Sequence, residues 1–420
     1  MMRVPGQNPS LEGLSFTLKK ARQDGLLFLQ SGDVGHASAP SNIALLKYWG
    51  KHESLKQIPV NSSVSLTLDS FRATTQVEVL GRFGPDGLEC SHTERPEFVL
   101  QINGKSVSMP EKMRRFLESL LGGFADDVAL RVTSENNFPT ACGVASSAAG
   151  YAALVGAIAD LLNLKRFFNH QELEHWLAEW SRLGSGSATR SAVPVTGKQN
   201  GQFVAWELHP DGTTTKTYEL SAADCAADLR HCVLVLDERE KAVGSSEGHS
   251  LAATSVFQEI RLAQFPHRFE KMKLALESGN LAVVGELTEC DAYEMHTVMA
   301  TGKEPLQYMS LQTVEALSHF VRMRNAQNAM MFWTLDAGAN PHFIFDASSS
   351  HVLSMYFAQL SHLPQFAGSV VLLGRKSGRG IELGRADSSN VSVEEHSASG
   401  TPRKCSLAEA AAYLQTGVEQ

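Results

Sequence analysis

At 420 residues the chain is longer than one hydrophobic core usually supports, and two domains are expected. With 43% hydrophobic and 20% charged residues it reads as soluble and globular, and its formal charge of -8 argues against a nucleic-acid partner. No apolar run is long enough for a bilayer span, and Met1-Met2-Arg3-Val4-Pro5-Gly6 does not lead into the apolar core of a secretory signal. The cysteines (Cys90, Cys142, Cys225, Cys232, Cys290 and Cys405) show no metal-like pairing, and a reducing cytoplasm fits them.

Residues 1–30 read as an irregular extension with a short helix near Leu11 to Arg22. Ile43 to Leu46 is a short buried strand or turn, and the alternation of Ser63 to Leu68 predicts a strand with one buried face. Separate strands are expected at Ala73 to Leu80, Phe98 to Ile102 and Val128 to Ser134, with helical spacing over Met109 to Gly122. An alanine- and glycine-rich helix starts near Ser146 and runs to about Leu162. A second, Gln171 to Arg182, carries Trp176 and Trp180 as core residues. Gly201–Glu207 and Thr215–Leu220 suit a hairpin.

Composition shifts at Ser221 to Asp228, after which Cys232 to Leu236 opens the second domain as a buried strand. Helices follow at Ser250–Gln264, His267–Ser278, Leu281–Thr297 and Leu311–Asn325, with strands at Met330–Leu335 and Gly368–Leu373. The domain division is therefore 1–30, 31–228 and 229–420, with α and β mixed in both halves. Arg375, Lys376, Arg379 and Arg385 around Gly378, Gly380 and Gly384 read as a solvated basic turn rather than a ligand loop.

Four polar constellations carry chemistry. The stretch Asn136 to Gly150 runs through a proline turn and Gly143 into Ser146 and Ser147 at a helix start, a sequence that can wrap backbone amides around a phosphate. It is not a Walker A loop, and a plain helix start fits the same pattern. Arg182 to Ser191 joins glycines, hydroxyls and two guanidiniums, with Ser187 and Arg190 on one face if the segment is helical. Asp336 ends an apolar strand, as a base or a turn residue would. Lys47 follows four apolar residues and suits a pocket or a snorkelling surface position. Together they favour a phosphoryl-transfer enzyme.

These segments, Asn42 to Lys51, Ser65 to Leu68, Asn136 to Gly150, Arg182 to Ser191 and Thr334 to Gly338, resemble the diphosphomevalonate decarboxylases of the GHMP kinase superfamily. The resemblance implies an α+β fold with a ribosomal-protein-S5-like N-terminal domain, a C-terminal α+β domain and a site between them. It implies ATP and magnesium, a small anionic isoprenoid-precursor substrate and a homodimer, while the acidic balance and the lack of a long apolar run leave no nucleic acid and no membrane expected as partners. Asp336 matches the family's catalytic aspartate and Arg190 the arginine that holds the substrate carboxylate region, and the resemblance implies that Lys47 supports charge at the reacting hydroxyl. Tyr48, Lys51, Ser185 and Ser187 resemble substrate contacts. Gly143, Val144, Ala145, Ser146 and Ser147 match the nucleotide loop, with Ser147 toward magnesium.

The chain departs from that pattern in three places. Gly244 to Ser255 contains no arginine where the family usually grips the diphosphate, Ala339 stands in a proline position, and Cys142 replaces an alanine. On sequence alone, decarboxylation of 5-phosphomevalonate or a related 3-hydroxy acid, or a kinase reaction without decarboxylation, therefore stays open.

Overall fold

The computed structural model describes residues 11–53, 56–82, 98–139, 144–193, 202–239, 244–376, 380–384 and 401–416. Along the chain, helix α1 (Leu11–Gln23) precedes strand β1 (Val34–Leu46), the small hairpin β2 (Lys51–Glu53) and β3 (Ile58–Pro59), and the long β4 (Ser63–Arg82). There follow β5 (Phe98–Ile102), β6 (Lys105–Val107), α2 (Glu111–Leu121), β7 (Val128–Asn136), α3 (Ser146–Leu161), α4 (His170–Gly184), the single turn α5 (Ala188–Ser191), β8 (Phe203–Leu208) and β9 (Thr215–Glu219). The second half contains β10 (Arg230–Val235), α6 (Ser245–Leu251), α7 (Phe257–Glu277), α8 (Leu281–Ala300), α9 (Leu311–Gln327), β11 (Met331–Thr334), β12 (His342–Phe345) and α10 (Ser350–Ser361). It closes with β13 (Val370–Lys376), β14 (Glu382–Leu383), β15 (Arg403–Ser406) and α11 (Leu407–Thr416).

The first sheet has the order β14-β1-β4-β7-β5-β6, with the β8–β9 hairpin joined through β4. The second has the order β11-β12-β10-β13-β15. Helix α3 packs on one face of the first sheet, against β1 and β4, and α4 packs against α3. The approach of α3 is so close that a Cβ at Gly35 would collide with the Ala157 carbonyl and Leu161. This is why a helix of alanines and glycines suits the position. Trp176 and Trp180 are 1% and 8% exposed, core residues as expected.

A second core joins the halves. Ile43, Leu45, Val64, Leu66 and Phe203 pack with Val233, Phe265, Met272, Phe332 and Ile344. Both faces of the first part of β4 are consequently buried, against the expectation of one solvated face.

The two strands expected at Ser63–Leu68 and Ala73–Leu80 form one continuous β4. The pairing with β1 jumps from Leu68↔Ser41 to Arg72↔Pro40, so Asp69, Ser70 and Phe71 bulge out and interrupt the alternation without ending the strand. The helices expected on either side of Pro266 are likewise one helix, α7. Its buried residues Arg261, Phe265, Arg268, Phe269 and Met272 continue across the proline, so packing outweighs the lost amide.

Residues 11–30 are docked rather than loose, since Leu14, Ala21, Leu27 and Leu29 belong to the first core. The basic turn is also not wholly solvated. Ile381 is 3% exposed, β14 pairs with β1, and the Gly380 carbonyl accepts Arg72 Nη2 at 3.0 Å. Gly378, Arg379 and Arg385 lie outside the described residues, as do Cys90 and Cys142. Among the described residues, Cys225, Cys232, Cys290 and Cys405 are free thiols, and no helix is long and apolar enough to cross a membrane.

Candidate active site

Strand β1 delivers the first functional group. Its apolar residues Ile43, Leu45 and Leu46 anchor in the second core, and the chain leaves the strand at Lys47. The Lys47 side chain is 1% exposed, and its Nζ lies 2.6 Å from Asp336 Oδ1. Asp336 follows the end of β11, and its carboxylate remains 27% exposed toward a cleft of about 530 Å³. Burial lowers the Lys47 pKa, and the Asp336 charge and hydrogen bond oppose that shift. The turn beyond Asp336 is fixed by Asn340, whose Oδ1 accepts the Leu236 and Asp237 amides at 2.8 and 2.9 Å. Ala339 in place of proline leaves this anchorage intact.

Arg190 is 3% exposed on α5 and lines the same cleft. Its Nη1 donates to Ser63 Oγ at 2.7 Å, and Nη2 and Nε donate to Asn42 Oδ1 at 3.2 and 3.3 Å. Burial pulls its pKa down to about 10, against the pull of Asp336. Ser187 is the N-cap of α5, so it and Arg190 lie within the same short turn. Tyr48 stacks against His249 with ring centroids 4.2 Å apart and meets the Trp206 edge at 4.8 Å. Its buried hydroxyl has no partner among the described residues. Gly186 is required there, because a Cβ would stand 2.8 Å from that hydroxyl. An orphaned hydroxyl in a cleft wall fits a ligand that supplies the missing bond.

The start of α3 also lines the cleft. No side chain caps this helix at Ala145, and Val144, Ala145, Ser146 and Ser147 line the cleft with Ser147 exposed. The helix end offers amides and a positive dipole end to an anion. Gly143 lies outside the described residues. Ser185, Ser187 and Lys51 line the cleft as well, so every described residue predicted for the site reaches one cavity. Arg182 does not, being bound to Glu179 at 2.6 Å and to the Lys56 carbonyl.

Sequence reasoning missed Lys112, Arg239, His249 and Asn42, which also line the cleft. Arg239 follows the first strand of the second half, a few residues before the Gly244–Ser255 segment, and pairs with Asp237 at 2.7 Å. His249 lies within that segment. The Gly50 amide donates to its Nδ1 at 3.0 Å, which leaves the proton of the neutral ring on Nε2. Burial first, then Lys51, Arg190 and Arg261, holds its pKa well below the usual histidine value. His296 Nε2 donates to the Asp336 carbonyl at 3.2 Å, and burial pushes this ring down to about 4.

A two-sheet α+β fold whose interdomain cleft joins an uncapped helix start to a lysine–aspartate pair defines an enzyme of the GHMP-kinase class. Residues 39–217 match the diphosphomevalonate decarboxylase-like N-terminal domain, and residues 231–379 match the mevalonate 5-diphosphate decarboxylase C-terminal domain. The diphosphomevalonate decarboxylase of Candida albicans is 35% identical over 346 residues, covering 78% of this chain and 88% of that protein. The mevalonate diphosphate decarboxylase of Staphylococcus aureus superposes with a TM-score of 0.71 at 26% identity, over 84% of this chain and 98% of that one. A structure of the enzyme designated MDDEF, solved with MVAPP, AMPPCP and magnesium, gives 0.69 at 28% identity over 84% and 98%. The chain belongs to the diphosphomevalonate decarboxylase family.

Proposed function

We infer that the chain catalyses the ATP-dependent decarboxylation of mevalonate 5-diphosphate to isopentenyl diphosphate, ADP, phosphate and carbon dioxide. The observation that supports this reading is the Lys47–Asp336 pair, 2.6 Å apart, facing the same cleft as Arg190 and the start of α3. The tertiary 3-hydroxyl is a poor nucleophile. Asp336 orients it and takes its proton, while the Lys47 ammonium stabilises the developing oxyanion. The oxygen then bonds to the γ-phosphorus of ATP as the bond to the ADP oxygen breaks. In the second step the C3–O bond breaks and its electron pair leaves with phosphate. The pair of the C1–C2 bond becomes the new C=C bond as carbon dioxide departs. The electrons are accounted for without a carbonyl sink.

Arg190 holds the substrate carboxylate until it leaves. Ser146, Ser147 and the amides of the α3 start hold the nucleotide phosphates. Among the described residues no cluster of three or more histidine, cysteine or carboxylate groups could hold a metal. Ser147, exposed at the cleft, is the residue that would hold a magnesium ion, which would supply neutralising charge to the nucleotide phosphates. Lys51 and Lys112, with the neutral His249 beside them and Arg239 in the same cleft, take the diphosphate end. The free thiols support a cytoplasmic setting, and family resemblance supports a homodimer.

The test is a coupled ADP-release assay with release of carboxyl-labelled carbon dioxide, run on mevalonate, its 5-phosphate and its 5-diphosphate. Preference for the diphosphate with equal ADP and carbon dioxide is expected. Preference for the monophosphate would change the substrate, and ADP without carbon dioxide would make the enzyme a kinase. A pH dependence follows from Lys51, which burial and then Lys112 hold down to about 8. A bound diphosphate raises it again, so this contribution to affinity is complete below about pH 8 and is lost as pH rises through the pKa of the complex. The KM for the diphosphate substrate should be flat in acid and climb in alkali, and Lys51→Arg should flatten the climb. A flat wild-type KM through about pH 9 would remove Lys51 from the substrate site.

A further inference from the structure

We propose that Asp291, which does not line the cleft, is a positioning residue that fixes Lys47 against Asp336 by clasping the Lys47 backbone from helix α8. The inference rests on the roles given above to Lys47 and Asp336. Lys47 follows the last residue of β1, so the sheet no longer satisfies its amide and carbonyl. Both groups are held by buried side chains instead. Asp291, 0% exposed, accepts the Lys47 amide on Oδ2 at 2.5 Å. Arg261 Nη2 and Asn61 Nδ2 each donate to the Lys47 carbonyl at 2.9 Å.

Asp291 is in turn fixed by two arginines of α7. Arg261 Nε reaches Oδ1 and its Nη2 reaches Oδ2, both at 3.2 Å. Arg268 Nη1 reaches Oδ1 at 2.8 Å and also bonds Glu294 Oε2 at 2.6 Å. Two carboxylates thus balance two guanidiniums. Burying such a cluster is a costly way to gain stability, because the desolvation penalty rivals the attraction. What it supplies is geometry. It locks the lysine of one half to the helices of the other half, near the aspartate that must meet it.

The same arrangement has an electrostatic consequence. The charged groups facing Lys47 are Asp336 beyond β11, Asp291 on α8, Arg190 on α5, and Arg261 on α7 at its carbonyl, with His296 of α8 neutral beside it. The Asp291 charge favours the protonated lysine, so neutralising it lowers the Lys47 pKa and moves the alkaline limb of kcat to lower pH.

The test compares Asp291→Ala and Asp291→Asn in the full-length protein, following carbon dioxide release and thermal melting. Asp291→Ala should lower kcat by about 10- to 100-fold with little change in either KM, since misplacing one reacting group costs that much. Asp291→Asn, which retains an acceptor for the Lys47 amide, should recover most of kcat yet carry an alkaline limb shifted down by about half a pH unit or more. A merely structural role would lower the melting temperature and leave the limb in place, and that result overturns the proposal. If Asp291→Ala does not fold, the limb of Asp291→Asn decides alone. Lys47→Met separates the two readings. Retained turnover in that variant removes Lys47 from the chemistry, whereas its loss beside an unshifted Asp291→Asn overturns only the positioning role.

Discussion

Replacing Asp336 by asparagine is expected to lower ADP and carbon dioxide release together by about 10³-fold or more, the upper range for loss of a positioned general base. Asparagine keeps the shape and an oxygen for Lys47 Nζ, which now lies 2.6 Å from the carboxylate. It removes the basicity assigned to Asp336 in the proposed mechanism. Because phosphoryl transfer precedes loss of carbon dioxide, both products should fall in step, with no uncoupled release of ADP. Nucleotide binding, supported by the start of α3, should change by less than about threefold, a difference of well under 1 kcal/mol. Isothermal titration with a non-hydrolysable ATP analogue, beside the coupled assay, measures both quantities. Near-normal turnover by the asparagine variant would dismiss Asp336 as the base.

The second large effect is expected at Arg190. Arg190→Lys keeps the positive charge but replaces the planar fork with a single ammonium, losing the simultaneous bonds to Ser63 Oγ and Asn42 Oδ1. Nothing then holds the charge in the plane where a carboxylate meets two parallel donors. A fall in kcat/KM of about 10²–10³ is expected, comparable with removing one preorganised donor from a buried site. The loss should be greater for carbon dioxide release than for ATP binding if, as proposed, the fork addresses the carboxylate. A lysine variant with wild-type kcat/KM would show that charge alone suffices and that Arg190 serves only to tie α5 to β1.

The parts of the site legible in the sequence are those where chemistry is contiguous. Lys47-Tyr48, Ser146-Ser147, Ser185 to Arg190 and Asp336 each stand in a short stretch that matches the family pattern, although a plain helix start or a turn fits several of them on residue type alone. Residues that reach the cleft singly were invisible. Lys112 lies in the first turn of an amphipathic helix, and His249 sits in a polar segment with nothing local to mark it as a cleft residue. Asp291 looks like one more acid on a helix already carrying Glu286, Glu289 and Glu294, and only the fold shows it 0% exposed. The fold was obscured where local breakers were overruled by packing, as at Asp69-Ser70 inside β4 and Pro266 inside α7. Strand β12, four buried residues with no alternation, carries too little periodicity to be read, whereas α10 does show helical spacing in Leu353, Tyr356, Phe357 and Leu360 behind its serine-rich start.

The pairing of Ala37 with Leu383 and Ser38 with Glu382 makes the outermost strand of the first sheet a contribution from the far end of the chain. The β1 edge is thus left bare on a nascent polypeptide until translation has passed residue 383. The amino-terminal half therefore cannot complete its own hydrogen bonding as it emerges from the ribosome, and a truncated product would present that edge to its neighbours.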